Sequence, residues 1–502
     1  MQELGLALIF IAGALILATG LPVFVILCVV SVCGALCGLV WGGLSLAIFT
    51  ALPARLIMLL ENDLLQALPL FVLIGLMLDR VPVILTLFKS LRKAAGNKAG
   101  SLGATPVLIG ALMGPMNGSV GASVLSLSRS LYPRLSKAGF DHATAQGLIA
   151  ATSTLGVVIP PSLVLILLGD AMMSAHTIAL QGSARTDRII NTQDVFHGVL
   201  VPAALVLAGF VGVAFWQGMT HAPRQTMTKP EPLAARESLT ACTSLLVLTG
   251  LLGGVASGLI YAVEAAATGA VLLLAYGFAC GALTGETLRA VLKDTAINTG
   301  ALFALLISAT TFTLMLRLLG TDTLISHWLL SIKTGPVLFL CVVLALIALA
   351  ALVLDAFEII FVLIPILGPP LLTRIEDAVW ACVCLLLTLQ LAFLLPPVGY
   401  ALMMTRSMVA PTVPVIRLLQ AVSPYLLWLV VVLGLVLVWP RSVHWLDAPN
   451  AAQRSLAPVP KTAIDKQMRQ LLPAPAESLP LPILPTPILP APVLPTPVLP
   501  QR

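Results

Sequence analysis

Long apolar runs constrain the fold of this chain more than any other feature of its sequence. Hydrophobic residues make up 59% of the 502 residues and charged residues only 10%, whereas a soluble domain carries about 25% charged residues. The sequence therefore predicts an all-α polytopic membrane protein and excludes an ordinary soluble globule. A spanning helix needs about 20 apolar residues. Runs of that kind lie near residues 4–22, 23–44, 68–88, 145–169, 196–217, 239–260, 262–283, 335–353, 354–374, 380–404 and 419–440.

Two proline pairs lie inside these apolar runs, Pro160 with Pro161 and Pro396 with Pro397. Proline has no amide hydrogen and its ring collides with the carbonyl one turn earlier, so each pair should break a helix and free several carbonyl groups. At membrane depth such groups persist only when they are buried in protein or face a watery cavity, where they are good cation ligands. We therefore predict broken helices near 145–169 and 380–404, with an ion and substrate site at the breaks.

A glycine-rich stretch near 105–130 precedes the first proline pair. Its apolar arms are shorter than a span, and its turn contains Asn117, Gly118 and Ser119. Short arms around such a turn indicate a re-entrant hairpin, which would place these residues and Ser123 near the middle of the membrane. The alternative is two short helices whose small residues lie at a packing interface. The proline pair that follows favours a site at the hairpin tip.

Oxygen-bearing residues and a glycine surround the first proline pair: Thr154, Gly156 and Ser162. Hydroxyl and carbonyl oxygens suit a hard monovalent cation, and a helix that begins after the prolines points its positive end toward an anionic group. The alternative is a simple kink. At the second pair, where Gly399 follows the prolines, the break is clear but the hydroxyl lining is poorer.

The second half of the chain has its own interrupted stretch, near 298–320. Small polar residues within it, namely Ser308, Thr310 and Thr311, are predicted to form the tip of a second hairpin. This prediction depends on the same reasoning as for the first hairpin, because small polar residues interrupt an otherwise apolar run.

Two carboxyl groups, Asp355 and Glu358, lie in the apolar run near 354–374. Their spacing of three residues places them on one face of a helix. A carboxylate inside a membrane segment is a candidate for solute or ion binding. The alternative is that both lie at a helix start near the interface, where acidic groups complement the helix dipole.

The most polar internal stretch, 218–238, divides the chain into two apolar halves, 1–217 and 239–447. Each half has a predicted hairpin followed by a proline pair, which is typical of transporters built from internal repeats. The match is imperfect, because the second half has the segment near 354–374 between its hairpin and its prolines. In 448–502 the proline density favours extended chain and forbids helix, so a disordered tail outside the bilayer is predicted.

Several kinds of function find no support in the sequence. The six histidines are scattered and the eight cysteines have no spaced histidine partners, so neither a metal site nor a cofactor is predicted from them. Without a phosphate-binding glycine loop, pumping would need an ion gradient or a separate subunit. The net charge of +6 is spread over loops without interleaved aromatic residues, which disfavours a nucleic-acid partner.

Four stretches resemble the large membrane subunit of the tripartite ATP-independent periplasmic (TRAP) transporters. The similarity extends from the N-terminus to about residue 446 and leaves out the proline-rich tail. The stretches with the most specific similarity are Leu68–Leu78, Gly118–Val124, Thr154–Ser162 and Pro396–Gly399.

This resemblance implies an elevator-type secondary transporter of the bacterial inner membrane, rather than an enzyme, that takes up organic acids and related solutes with sodium. It also implies two partners, a small four-helix membrane subunit and a periplasmic solute-binding protein. The family's binding sites correspond to 117–123, 154–162, 308–311 and 396–399. The chain departs from the family pattern at Ser153, usually glycine, and before the second proline pair, where Leu391, Ala392 and Leu395 replace residues that are often hydroxylated.

Three other functions remain open at this point. A stand-alone ion-coupled anion symporter would need no binding protein. An intramembrane enzyme would normally place acids, histidines or a metal motif at an aqueous membrane face, and no convincing cluster of that kind is visible in the sequence. A scaffold that uses the proline-rich tail is the third possibility.

Overall fold

The computed structural model describes residues 2–41, 50–61, 63–96, 99–117, 119–181, 188–221, 235–395 and 399–446. Every element that it describes is helical. Three sets of predictions lie outside these residues: those for the tail 448–502, for most of the linker 218–238, and for Gly118, Pro396 and Pro397.

The helices of the first half follow one another with short connections. They are α1 Gln2–Thr19, α2 Val23–Val40, α3 Ala51–Leu60, α4 Asp63–Arg80, α5 Val83–Ala94, α6 Ala99–Met113, α7 Val120–Lys137, α8 His142–Ser153, α9 Leu155–Val158, α10 Leu163–Gln181 and α11 Thr192–His221. A short 3₁₀ turn, Gly114–Asn117, joins α6 to α7.

The second half is also helical throughout its described residues. Its helices are α12 Ala235–Ala256, α13 Ala262–Ala279, α14 Gly285–Leu318, α15 Thr321–Ser331, α16 Pro336–Ala350, α17 Ala356–Glu358, α18 Ile364–Arg374, α19 Ala378–Ala392, α20 Tyr400–Met408 and α21 Val415–Val438. A π-helical stretch, Ile359–Leu363, joins α17 to α18, and a 3₁₀ turn, Pro440–Ser442, follows α21.

Within the described ranges, nine helices are long and apolar enough to cross a membrane. The count becomes ten if a bent pair, Leu65–Arg80 with Val83–Ala94, forms one span. The run near 68–88, predicted as one span, is therefore two helices, which are bent by 67°. The bend falls at Pro82, which cannot continue the helix before it.

The structure breaks the helix at the first proline pair. Helix α8 ends at Ser153, the single turn of α9 follows, and α10 begins only after the proline pair at Leu163. Helices α6 and α7 lie on either side of the Gly114–Asn117 turn and are referred to below as the first hairpin.

The second hairpin was predicted at the wrong place. Helix α14 is continuous for 34 residues through the whole stretch 298–320. The hydroxyl groups do not break it because they bond within the helix: Ser308 donates to the Leu305 carbonyl at 2.8 Å and Thr311 to the Ile307 carbonyl at 2.7 Å. Thr310 is also internal to α14, and its carbonyl accepts from the Thr313 hydroxyl at 3.0 Å.

The counterpart of the first hairpin is instead α16, a turn, and the continuous span Ala356–Arg374. The first arms α6 and α16 each have 15 residues. The second arms begin at the N-caps Ser119 and Asp355, which lie 236 residues apart in the sequence. The hydrogen-bonded pair Thr154 and Gln390 has the same separation. Other pairs with this separation are Pro133 and Pro369, Asp141 and Asp377, and Pro160 and Pro396.

This separation of 236 residues explains the segment near 354–374, which has no counterpart in the first half under the predicted pattern. It is the second arm of the second hairpin, and α19 then corresponds to α8. Asp141 and Asp377 cap these two helices with the same chemistry, since each carboxylate accepts from backbone amides of the first turn. The second break lies between Ala392, where α19 ends, and Tyr400, where α20 begins.

Helices α8 and α19 form the centre of the fold, because nearly all of their residues are buried. A second, smaller core joins α1 and α2 to the C-terminal third of α14 through apolar residues. Because α8 is buried up to the first break, carbonyls freed there are shielded from lipid.

Candidate functional site

The first hairpin tip and the first broken helix touch through two glycines. A Cβ on Gly156 would lie 2.5 Å from the carbonyl carbon and oxygen of Gly114, and a Cβ on Gly114 would lie 2.8 Å from the Gly156 amide nitrogen. Only glycine permits this approach, because real Cβ atoms do not come so close to backbone. The contact brings main-chain oxygens of the tip against α9.

A small cavity of about 10 Å³ lies beside this contact. Its volume is close to the roughly 10–15 Å³ that a single water needs. The oxygen-bearing side chains that line it are Ser119, Ser123, Ser153 and Ser162. Gly114 and Gly156 complete the polar side of the lining. The space therefore fits one small ion or one water, beside hydroxyl and backbone groups on one side and apolar residues on the other, namely Pro115, Val120, Val157, Leu163 and Val164.

Hydrogen bonds hold the serines in place. Ser123 donates to the Ser119 carbonyl at 3.2 Å, and Ser162 donates to the Val157 carbonyl at 3.0 Å. Ser153 donates to the Ala150 carbonyl at 2.8 Å. Because a hydroxyl has one hydrogen and two lone pairs, these oxygens keep acceptor capacity. That capacity is what a cation requires.

The second break lacks the serine hydroxyl groups that line the first. The residues at Ser123, Ser153 and Gly156 correspond, at the separation of 236, to Ile359, Leu389 and Ala392. Only the position of Ser119 keeps an oxygen ligand, as Asp355. The sequence predicts a poorer hydroxyl lining at the second break. Comparing residues that lie 236 positions apart leads to the same expectation.

The two halves meet at the pair Thr154 and Gln390. The Gln390 amide donates to the Thr154 hydroxyl at 3.5 Å, and both side chains are fully buried. The Thr154 hydroxyl itself donates to the Ala151 carbonyl at 2.8 Å. Thr154 therefore joins the two breaks and does not line the small cavity, although it was predicted as a site residue.

A larger cleft of about 620 Å³ opens next to the small cavity. Ser119 lines both spaces, so it connects them. The cleft also receives the tip of the second hairpin, through Asp355 and Glu358, and residues of α4, α14 and α20. Helix α20 reaches it across the first hairpin, since the Tyr400 hydroxyl lies 2.6 Å from where a Cβ on Gly121 would be.

Asp355 and Glu358 lie at a helix start, as one of the two interpretations expects, while their part in binding stays a prediction. Asp355 is the N-cap of α17, and its backbone amide donates to Glu358 Oε2 at 3.0 Å, which forms a capping box. The same two residues line the cleft. A helix start therefore places the two carboxyl groups at the cleft.

The remaining predicted residues fall into two groups. Pro160 and Pro161 are buried at the first break, and Gly399 caps α20. Ser308, Thr310 and Thr311 lie on α14 away from the cleft. Thr311 instead lines a separate apolar cavity of about 270 Å³ between α2 and α14.

Several lining residues were missed by sequence reasoning. They are Gly75, Asp79, Asn298, Tyr400 and Met404. A signal was available for two of them, because Asp79 and Asn298 are polar residues within helices that are otherwise long and apolar enough to span. For the others, only the packing of α4 and α20 against the first hairpin identifies them.

The side chains that line the cleft include acidic groups. Its lining includes three carboxyl groups, from Asp79, Asp355 and Glu358, and among the described residues that line it there is no lysine, arginine or histidine. The same described part of the chain has no group of three His, Cys, Asp or Glu residues arranged to hold a metal ion. When ionised, these carboxyl groups would favour a cation over a bare anion in the cleft.

A family model decides the broader identity. Residues 10–442 match the family described as "Tripartite ATP-independent periplasmic transporter, DctM component". The chain belongs to this family. This TRAP permease is accordingly a transporter subunit and a multi-pass protein of the inner membrane.

Curated relatives of the TRAP permease are named for organic acids. It is 25% identical over 386 residues to the C4-dicarboxylate TRAP transporter large permease protein DctM of Rhodobacter capsulatus, covering 76% of this chain and 86% of that protein. It is 26% identical to the sialic acid large permease protein SiaM of Vibrio cholerae, with coverage of 76% and 86%. The 2,3-diketo-L-gulonate permease YiaN of Escherichia coli is 25% identical, with coverage of 67% and 76%.

A solved structure shares the fold. The YdaH transporter of Alcanivorax borkumensis, described as having an unusual topology, superposes with a TM-score of 0.58 at 16% sequence identity. The match covers 78% of the TRAP permease and 88% of that chain. At this identity the likeness concerns the fold alone.

Proposed function

We propose that this TRAP permease carries an organic acid into the cell, driven by an inward sodium gradient. The family and the names of the relatives support transport of organic acids. The observation that carries sodium coupling is the cavity of about 10 Å³ at the first break, with its four serine side chains. Neutral oxygen ligands in a space of this size suit a small monovalent cation.

The cleft supplies a reason for coupling. An organic anion that enters it meets three carboxyl groups and no basic side chain among the lining residues that the structure describes. Cations must offset this repulsion before the anion binds well. Because Ser119 lines both the small cavity and the cleft, sodium at the first break would sit next to the solute. Binding of the cation would therefore raise the affinity for the anion, and the reverse would also hold.

The moving part in this proposal is the unit built from the two hairpins and the two broken helices. An elevator motion would carry this unit, with solute and sodium bound, past the apolar helices around it. The proposed partners are a small four-helix membrane subunit and a periplasmic binding protein that delivers the solute. The relatives support them by name, since each is a large permease protein of a TRAP system.

Reconstitution tests the proposal. The full chain, its small subunit and its binding protein are placed in liposomes, with the solute that the binding protein retains as the labelled substrate. Accumulation is expected only with sodium higher outside than inside. It should collapse when a sodium ionophore dissipates the gradient, and potassium should not replace sodium.

Two results would change the interpretation. Equal accumulation with and without the sodium gradient would refute sodium coupling. Accumulation without the binding protein would instead support a stand-alone ion-coupled symporter. A Ser162→Ala variant provides the link to the cavity, because it should retain assembly with the small subunit while requiring more sodium for half-maximal uptake.

A further inference from the structure

Helix α5 differs from the spanning helices of this chain. It has 12 residues, Val83–Ala94, which gives a length of about 18 Å. The hydrocarbon layer of a bilayer is about 30 Å thick, so α5 is too short to cross it. Its axis turns by 67° away from that of α4. A short helix that bends strongly from a spanning helix is expected to lie near the membrane surface.

One side of α5 packs on the protein, and its end is basic. The last turn carries Arg92 and Lys93, and Lys93 is exposed. The packed side holds this basic end in place against the neighbouring helices. The buried apolar residues of α5 follow the spacing of one helix face: they are Val83, Ile84, Leu87 and Phe88.

The basic end of α7 lies against α5. Helix α7 has Arg134 and Lys137 in its last turn. The Arg134 guanidinium carbon lies 5.8 Å from the centre of the Phe88 ring, so the last turn of α7 meets α5. Stacking uses the face of the guanidinium and leaves its N–H edges for hydrogen bonds. Lys137 is exposed, like Lys93 at the end of α5.

Few acidic groups offset these charges. Helices α6 and α7, which both pack against α5, contain no aspartate or glutamate. Helix α12 also packs against α5 and contains one, Glu237, whose carboxylate pairs with Lys89 at 3.3 Å. Asp141, in the turn after α7, accepts from the backbone amides of Ala143 and Thr144 at the start of α8. The ends of α5 and α7 therefore present an excess of positive charge.

The equivalent region of the second half lacks this charge. The separation of 236 residues that relates the two breaks maps 83–94 onto 319–330, most of which is α15, and α15 has no lysine or arginine. The end of α18 corresponds to that of α7 and has one, Arg374. Its guanidinium donates to the carbonyls of Ile332 at 2.6 Å and Leu330 at 2.7 Å. The basic residues around α5 are therefore not required by the fold itself, which leaves a role at the membrane surface.

We propose that the ends of α5 and α7 bind the phosphate headgroup of an anionic phospholipid in the cytoplasmic leaflet. Basic residues next to membrane segments favour the cytoplasmic side, and each lysine or arginine near an anionic leaflet adds to the attraction. Arg134 can donate two hydrogen bonds to one phosphate, while Lys93 and Lys137 act as point charges. The occupant is a lipid because a multi-pass protein of the inner membrane holds this surface beside headgroups. This inference depends neither on sodium coupling nor on the identity of the solute.

Thermal unfolding of the purified full chain tests this site without any transport. The chain is kept in micelles of a neutral detergent with phosphatidylcholine, which is replaced in steps by phosphatidylglycerol at constant total lipid and ionic strength. Tm is expected to rise with the phosphatidylglycerol fraction and to reach a plateau. Combining Lys93→Gln with Lys137→Gln should raise the fraction needed for half-maximal stabilisation about fivefold. Combining Lys93→Arg with Lys137→Arg should preserve the response, because the charges remain.

The control is Lys333→Gln, which removes an exposed lysine that follows α15. Its titration should match that of the unaltered chain. The Tm of each variant in phosphatidylcholine alone shows whether it still folds, and each single glutamine variant should shift the titration in the same direction by less. Purified protein has already been inserted, so basic residues that only orient the chain during insertion would leave the titration flat.

Three results would overturn the proposal. The first is the same Tm in both lipids for the unaltered chain. The second is a glutamine double variant that responds to phosphatidylglycerol like the unaltered chain. The third is equal stabilisation by inorganic phosphate at the same anion concentration, because this would indicate a site for the free anion and not for a lipid.

Discussion

The two breaks occupy equivalent places in the two halves, yet they are lined differently. At the first break, serine oxygens and a contact between two glycines lie beside a space for one ion or water. At the second, the equivalent positions are Ile359, Leu389 and Ala392, and a carboxyl group replaces the hydroxyl at the tip. The two breaks therefore have equivalent positions but different side chains around them. A helix break alone frees carbonyls, but side chains decide whether they enclose an ion.

The largest difference between the two breaks is expected when Gly156 is replaced by alanine and Ala392 by glycine. Gly156→Ala should lower the free energy of unfolding by about 3 kcal/mol and abolish uptake, because its new methyl group would collide with the Gly114 backbone. Ala392→Gly, the matched change in the second half, should cost about 1 kcal/mol and retain uptake. Thermal unfolding and sodium-driven uptake measure both. Equal losses from the two variants would show that the glycine contact has no special role.

Removing a side-chain oxygen should affect sodium only at the first break. Ser123→Ala is expected to raise the sodium concentration for half-maximal uptake about tenfold, since this hydroxyl lines the small cavity. Ile359→Val, at the equivalent place, should cost about 1 kcal/mol of stability with the sodium dependence unchanged. Uptake is measured against external sodium in proteoliposomes. A shift for Ile359→Val as large as that for Ser123→Ala would contradict the comparison.

Removing the helix cap at either hairpin tip should lower the stability of the protein by nearly the same amount. The two changes should differ in their effect on the affinity for the solute. Ser119→Ala and Asp355→Ala each remove an N-cap, which is expected to cost about 1 kcal/mol. Asp355→Ala also removes one of three carboxyl groups from the cleft, so the affinity for an anionic solute should rise at low sodium. Thermal unfolding and solute binding at two sodium concentrations separate the two effects. Unchanged solute affinity in Asp355→Ala would argue against repulsion in the cleft.

The smallest expected effect concerns the link between the breaks. A double-mutant cycle with Thr154→Val and Gln390→Leu should give a coupling energy of about 0.5 kcal/mol, because the hydrogen bond between them is long, at 3.5 Å. Unfolding of the four proteins under identical conditions provides the measurement. Strict additivity would mean that the two halves are held together by apolar packing and not by this bond.

The hairpins show how far sequence reasoning reached. The first was located because glycine, proline and short apolar arms act locally, within 105–130. The second was placed on α14 because small polar residues interrupt an apolar run there, but their hydroxyls are satisfied by carbonyls of the same helix. The true second hairpin has a carboxyl capping box at its tip. The sequence pattern there indicates a helix start, but by itself it does not predict a hairpin.

The sequence by itself determined the membrane class, the family and the positions of both breaks. These depend on apolar run length, on the missing amide of proline and on contiguous motifs, all of which are local. Only the tertiary structure decided which residues share a space, because the partners are distant along the chain. Ser119 meets Asp355 in one cleft, Thr154 meets Gln390, and α4 contributes Asp79. Such meetings follow from how helices pack, and no local pattern records them.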